Sequence, residues 1–67
     1  MAVARVTRLT ASSTTSWQAA VQEAIDRASK TLRGLTGLEV VSHKAKIVDG
    51  KITEYRVTID VTFVLED

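Results

Sequence analysis

His43 is the only histidine in the chain, and it is the side chain best suited to acid–base chemistry near neutral pH. Strand-like alternation places it on one face of a predicted strand with Val41, Ala45 and Ile47. No Ser, Cys or Asp lies at a spacing that implies a catalytic group with it. We favour a packing or interface role for His43, with a ligand or general-base role as the alternative, and we expect no enzymatic activity.

Hydroxyl side chains are concentrated in the segment Ser12-Ser13-Thr14-Thr15-Ser16. Such residues before an apolar-periodic segment indicate a helix start, because a side-chain oxygen accepts a hydrogen bond from an unpaired N–H of the first turn. Ser13 and Thr15 are the candidate caps, and Thr15 with Gln18 has capping-box spacing. Phosphate binding at the helix N-terminus is the alternative, but the segment has no glycine-rich loop to support it.

The segment from Ser13 to Leu35 predicts a helix that ends near Arg33 or Gly34. Its apolar residues follow helical spacing over about five turns. They are Trp17, Ala20, Val21, Ala24, Ile25, Ala28, Leu32 and Leu35. The three alanines keep this stripe narrow, so a sheet can approach the helix closely. Gly34 is predicted to be the left-handed residue that ends the helix.

The rest of the chain predicts three strands, one before the helix and two after it. The first covers Val3 to Thr10, and the second covers Leu38 to Val48. In the second strand Val40, Ser42, Lys44 and Lys46 are predicted to face away from His43. Asp49-Gly50 predicts a tight hairpin. The third strand then alternates cleanly, with Tyr55, Val57, Ile59, Val61, Phe63 and Leu65 on one face.

The predicted fold is therefore α+β, with the order β-α-β-β and one domain over residues 1–67. We expect a three-stranded antiparallel sheet wrapped around one helix, in which the first strand returns beside the third. One face and two edges of this sheet stay open, which is a liability unless a partner covers them. The chain has 67 residues and no Cys, so self-association is the remaining way to stabilise so small a core.

Charge and hydropathy exclude several classes of partner. Nine basic and eight acidic residues are well mixed, which argues against nucleic acid. No apolar run approaches the roughly 20 residues of a membrane span, and the N-terminus lacks the apolar core of a signal peptide. We expect a cytoplasmic protein. Its acidic residues are dispersed, so we expect no metal site.

In this order and length the chain resembles the dodecins, small β-α-β-β proteins that assemble into hollow dodecamers, many of which store flavin. The resemblance covers nearly the whole chain. Its anchors are Ser12-Ser13, the helix pattern 24–28, the segment 30–33, Leu38-Glu39-Val40 and the ending Val61-x-Phe63-x-Leu65-Glu66. It implies a homododecamer, and it places the helix cap at Ser13. Glu39 matches the family, and we expect it to form an ion pair with Arg33 or with another subunit.

The resemblance also locates the flavin site of the family, at Gly37, Lys44 and Arg56. A Trp that stacks on the flavin ring in flavin-binding members is replaced by Gly37, and a Gln that hydrogen-bonds the flavin is replaced by Arg56. Lys44 matches a basic residue that faces the phosphate end of the ligand in bacterial members of the family. Arg56 either binds a planar or anionic molecule or, as we favour, pairs with Glu54 or a neighbouring subunit's carboxylate.

These positions predict a shell for small-molecule storage whose flavin site is altered or lost, with FMN or a related flavin as the possible ligand. One alternative is a purely structural oligomer without ligand. Another is an ion-binding dodecin, because Thr15-Ser16-Trp17 resembles the helix start of calcium-associated members. We interpret Trp17 itself as a core or interface residue.

Overall fold

The computed structural model describes residues 3–65 and has the predicted order β-α-β-β. The elements are β1 (Ala4–Ser13), α1 (Trp17–Ala28), β2 (Leu35–Val48) and β3 (Lys51–Val64). The strands form one antiparallel sheet in the order β1-β3-β2, so β3 is central and β1 and β2 are the edges. The prediction that the first strand returns beside the third is confirmed.

The core lies between α1 and the odd-numbered side chains of β3. Val57, Ile59 and Val61 are almost completely buried. They pack against Ala20 and Ala24 of the helix, whose small side chains let helix and sheet approach closely. The alternation read from the sequence is thereby confirmed for β3 from Tyr55 to Phe63, although the strand ends at Val64 and leaves Leu65 outside it.

The N-terminal end of the helix differs from the prediction. The N-cap is Ser16, whose Oγ accepts a hydrogen bond from the Ala19 N–H at 3.0 Å. Ser13 is instead the last residue of β1, where it pairs with Tyr55. Its Oγ accepts a bond from the Thr15 N–H at 3.0 Å, and so it shapes the turn before the helix rather than capping it.

The C-terminal end of the helix also differs, since α1 ends at Ala28 rather than near Gly34. Lys30 and Thr31 donate their N–H groups to carbonyls three residues back. These bonds form a tighter, 3₁₀-type turn that ends the α-helix. Gly34 does adopt a positive φ of 74°. It lies directly before β2, and its carbonyl accepts a hydrogen bond from the Val64 N–H at 3.0 Å.

The second strand changes face within its length, which the alternating pattern did not predict. Val40 is paired with Ile59 and Ser42 with Thr58, so Val41 is an extra residue in the ladder. Because paired residues share a face, Val40 lies on the helix side together with His43, which pairs with Val57. The prediction that Val40 and His43 face opposite sides is therefore wrong.

A two-residue turn connects β2 to β3. Val48 pairs with Lys51, and the turn residues Asp49 and Gly50 have φ values of 52° and 77°. Two consecutive positive φ angles match the type I′ turn that Asp-Gly favours, and the predicted hairpin is confirmed. No helix within residues 3–65 is long and apolar enough to span a membrane.

Candidate ligand site on the outer face of the sheet

The outer face of the sheet, away from the helix, carries two cations at one position near the hairpin. Lys44 of β2 and Arg56 of β3 are direct cross-strand partners. Together with Ala45, Lys46 and Glu54 they line a concavity of about 390 Å³. Three cationic side chains thus surround one carboxylate, and the concavity is suited to an anionic ligand.

Arg56 already has one partner in this concavity. Its guanidinium Nη2 donates to Glu54 Oε1 at 2.8 Å, and both side chains are partly exposed. The pairing favoured from the sequence is confirmed. In water it contributes only a few tenths of a kcal/mol up to about 1 kcal/mol, so a multiply charged ligand can compete with Glu54 for the guanidinium.

Gly37 lies on the same outer face but not in the same concavity. It pairs with Thr62, about 23 Å along β2 from Lys44 at the usual strand rise. A Cβ added there would meet no atom within 4 Å. One chain therefore brings Lys44 and Arg56 together and leaves Gly37 apart, at an open position of β2.

Between these two places the outer face carries a row of charges across all three strands. Arg8 of β1 donates from Nε and Nη2 to Asp60 of β3 at 2.8 and 3.1 Å. Glu39 of β2 is the cross-strand partner of Asp60 on the other side. The hydrogen bonds from Arg8 lower the pKa of Asp60, and those same bonds, together with the charges of Asp60 and Glu39, raise the pKa of Arg8.

Glu39 does not pair with Arg33, and among the described side chains it makes no ion pair within 4.0 Å. Its predicted pairing with another subunit remains a prediction. The Arg8–Asp60 pair was not foreseen, although the register of β1 and β3 would have placed the two residues opposite each other. In the part of the chain that the structure describes, no three His, Asp or Glu side chains come together as a metal site.

The Trp17 side chain lies on the helix side of the sheet, near the hairpin. Its ring lies edge-on to Tyr55, with centroids 4.8 Å apart, and to His43, with centroids 5.7 Å apart. Its indole Nε1–H donates to the carbonyl oxygen of Lys44 at 2.9 Å. Trp17 packs at the margin of the core, as the sequence indicated. The bond to Lys44 had no sequence signal, because its acceptor is backbone.

Two further surfaces are open in the single chain. The helix packs on β1 and β3, so Leu38 and Val40 on the helix side of β2 stay exposed. Ile47 and Ile52 at the hairpin are exposed as well. A groove of about 570 Å³ lies between α1 and the edge strand β1, with Leu9 and Ala24 among its apolar lining and Arg27 at its rim.

The model of the Dodecin family matches residues 3–66 of this chain. A dodecin of Thermus thermophilus is 42% identical over 50 residues, which cover 75% of this chain and 72% of the relative. The match to the family model extends across all four elements of the fold.

Solved structures agree with this. A variant of the T. thermophilus dodecin superposes with a TM-score of 0.94 at 36% identity, with both chains covered completely. Dodecin from Streptomyces coelicolor gives 0.91 at 35% identity, over 98% of this chain and 94% of the other. A calcium-chelating calcium dodecin from Mycobacterium tuberculosis gives 0.81 at 29% identity, over 96% and 91%.

Proposed function

Because the chain belongs to the dodecin family, whose members form dodecamers, we propose that it forms a homododecameric, non-enzymatic shell that stores or buffers a small phosphate-bearing molecule. The flavin site of the family is altered in this shell. The observation that carries the proposal is the position of Lys44 directly opposite Arg56 in a concavity on the outer face. Two like charges facing each other destabilise a sheet unless an anion lies between them.

Assembly is supported by the apolar surface that the single chain leaves uncovered. Val6 on the outer face is 61% exposed, and Ile47 near the hairpin is 66% exposed. Leu38 and Val40 on the helix side and Ile52 at the hairpin are exposed as well. Apolar surface of this extent marks a contact with other copies rather than a surface of an isolated domain.

The change in ligand preference is supported by the residue at position 37. In the flavin-binding members that the chain resembles, a Trp at this place provides the ring that stacks on the flavin. Gly37 provides no side chain, and its surroundings are open. Lys44 thus retains the basic residue near the charged end of a ligand and Arg56 adds a second cation beside it, while the aromatic end loses its stacking partner. Phosphate therefore contributes more to affinity than the ring does.

The experiment compares FMN with riboflavin, which differ by the phosphate alone. Light scattering of the purified protein at micromolar concentration is expected to give a dodecamer. Equilibrium dialysis is expected to show FMN bound at least fivefold more tightly than riboflavin, since charge-assisted bonds contribute about 1.5–3 kcal/mol. Gly37→Trp is expected to tighten both ligands and to quench flavin fluorescence. A dodecamer that binds neither ligand would contradict the storage function.

That last outcome favours a second candidate, a structural shell without ligand. The Arg56–Glu54 bond at 2.8 Å supports it, because a guanidinium already paired within its own strand has less to offer a ligand. Glu54→Gln separates the two candidates. It is expected to tighten FMN binding if Arg56 binds ligand, and to have no effect on an empty shell.

A further inference from the structure

The bond between Trp17 and Lys44 joins the helix to the edge strand that carries half of the cationic pair. Trp17 is the first residue of α1, and its Nε1–H donates to the Lys44 carbonyl at 2.9 Å. The rest of the helix packs on β1 and β3. Since β2 is an edge strand that pairs with β3, Trp17 supports β2 from the helix side at this residue.

The side chain of Lys44 extends from the opposite face of the same strand. It pairs with Arg56, and even-numbered residues of β3 lie on the outer face. We propose that Trp17 is a positioning residue for the ligand site: by holding the Lys44 carbonyl it keeps the Lys44 ammonium group beside the Arg56 guanidinium. This inference rests on the proposed function, because it assigns Trp17 to the site at Lys44 and Arg56.

Local features of the sheet explain why such a support is needed. The register of β2 shifts between Val40 and Ser42 and again between Lys46 and Ile47. The regular ladder that presents Lys44 is therefore short. Lys44 and Arg56 also repel each other across it, which favours separation of the edge strand from β3. The indole bond acts in the middle of this segment.

The orientation of the indole is itself fixed by neighbouring rings. Tyr55 lies at 4.8 Å with an interplanar angle of 77°, and His43 lies at 5.7 Å with an angle of 85°. Edge-to-face contacts of this kind stabilise one ring orientation. The Nε1–H is thus directed at the Lys44 carbonyl before any ligand binds.

Trp17→Phe tests the proposal, because it keeps an aromatic ring and removes the donor. It is expected to weaken FMN binding about fivefold, the equivalent of one hydrogen bond, and to leave riboflavin binding unchanged. In a Lys44→Ala background the same substitution is expected to have no further effect on FMN. Gln18→Ala, at the exposed helix position next to Trp17, is the control and is expected to keep wild-type affinities. Equal weakening of both ligands, or an undiminished effect of Trp17→Phe without the Lys44 ammonium, would overturn the proposal.

Amide hydrogen exchange of the ligand-free assembly gives a second, independent readout. Trp17→Phe is expected to speed exchange about fivefold at residues 43–45 relative to the Gln18→Ala control. Unchanged exchange there overturns the positioning role whatever the binding data show. If the wild-type protein binds FMN and riboflavin equally or not at all, the proposed function fails, whereas the exchange result still decides whether Trp17 holds Lys44 in place.

Discussion

Lys44 and Arg56 occupy directly opposed positions in β2 and β3, with both side chains on the outer face. A sheet selected for its own stability would place an opposite charge at one of them. Glu54 satisfies Arg56 from within the same strand, but Lys44 makes no ion pair among the side chains that the structure describes. The cationic pair therefore lowers the stability of the hairpin, and Lys44 remains available for the anionic ligand that we propose.

This relationship predicts opposite effects on stability and binding for Lys44→Glu. The substitution replaces a repulsive cross-strand pair by an attractive one, which is expected to raise the free energy of unfolding by about 0.5 kcal/mol. It is also expected to abolish the preference for FMN over riboflavin. Urea unfolding at a fixed protomer concentration measures the first effect, and dialysis measures the second. Lys51→Glu makes the same charge change opposite Val48 and should do neither; a less stable Lys44→Glu protein would contradict the prediction.

The Arg8–Asp60 pair predicts how stability responds to acid. Hydrogen bonds from Arg8 lower the pKa of Asp60 below its ordinary value of 3.8 in the folded chain. The stabilisation is then fully present above that value and is lost as the pH falls through the lower, folded pKa. Asp60→Asn is expected to be less stable than wild type at neutral pH, with a difference that shrinks below about pH 4.

Thermal unfolding from pH 7 to pH 2 measures this difference. Asp26→Asn is a suitable control, because Asp26 is exposed on the helix and its carboxylate accepts a bond from the neutral Gln22 amide at 2.9 Å. A difference between wild type and Asp60→Asn that stays constant down to pH 2 would show that the Arg8 bonds do not depend on the Asp60 charge.

The sequence predicted the fold well because the strongest periodic signals belong to the core. The alternation from Tyr55 to Phe63 and the helical spacing of Ala20, Ala24 and Ala28 each mark one buried face, and these faces meet in the structure. Asp49-Gly50 predicted the hairpin for a local reason, since few residue pairs adopt two positive φ angles.

The errors arose where several residues satisfied the same local rule. Ser13 and Ser16 are both good caps, and pairing of Ser13 with Tyr55 in the sheet decides between them. The bulge at Val41 could not be predicted either. A run of strand-forming residues looks the same with or without a bulge, because a bulge depends on the partner strand. The candidate site shares this property. Residues 44 and 56 meet through register, and the bond from Trp17 to a backbone carbonyl leaves no trace in side-chain identity.

The corrected cap predicts a difference between two serines. Ser16→Ala removes the acceptor of the Ala19 N–H and is expected to lower the free energy of unfolding by about 1 kcal/mol. Ser13→Ala removes only a bond in the preceding turn and is expected to cost less than half as much. Urea unfolding of the two variants at equal protomer concentration compares them directly, and a larger loss for Ser13→Ala would restore Ser13 as the cap.

Gly34, just before β2, and Gly37, within β2, are expected to respond differently to substitution by alanine. Gly34 has a φ of 74°, and a Cβ there would lie 2.9 Å from the Val64 carbonyl oxygen of β3. Gly34→Ala is expected to lower the free energy of unfolding by about 2 kcal/mol, because a left-handed alanine is strained and the backbone of β3 must move. Gly37→Ala is the matched control, since a Cβ at that position meets nothing within 4 Å; it is expected to leave stability unchanged or to raise it by about 0.5 kcal/mol. Urea unfolding at equal protomer concentration measures both. Equal losses of stability would mean that position 37 is covered in the assembly and is not open to a ligand. The same two variants therefore also test whether a Trp at position 37 has room to stack on a flavin.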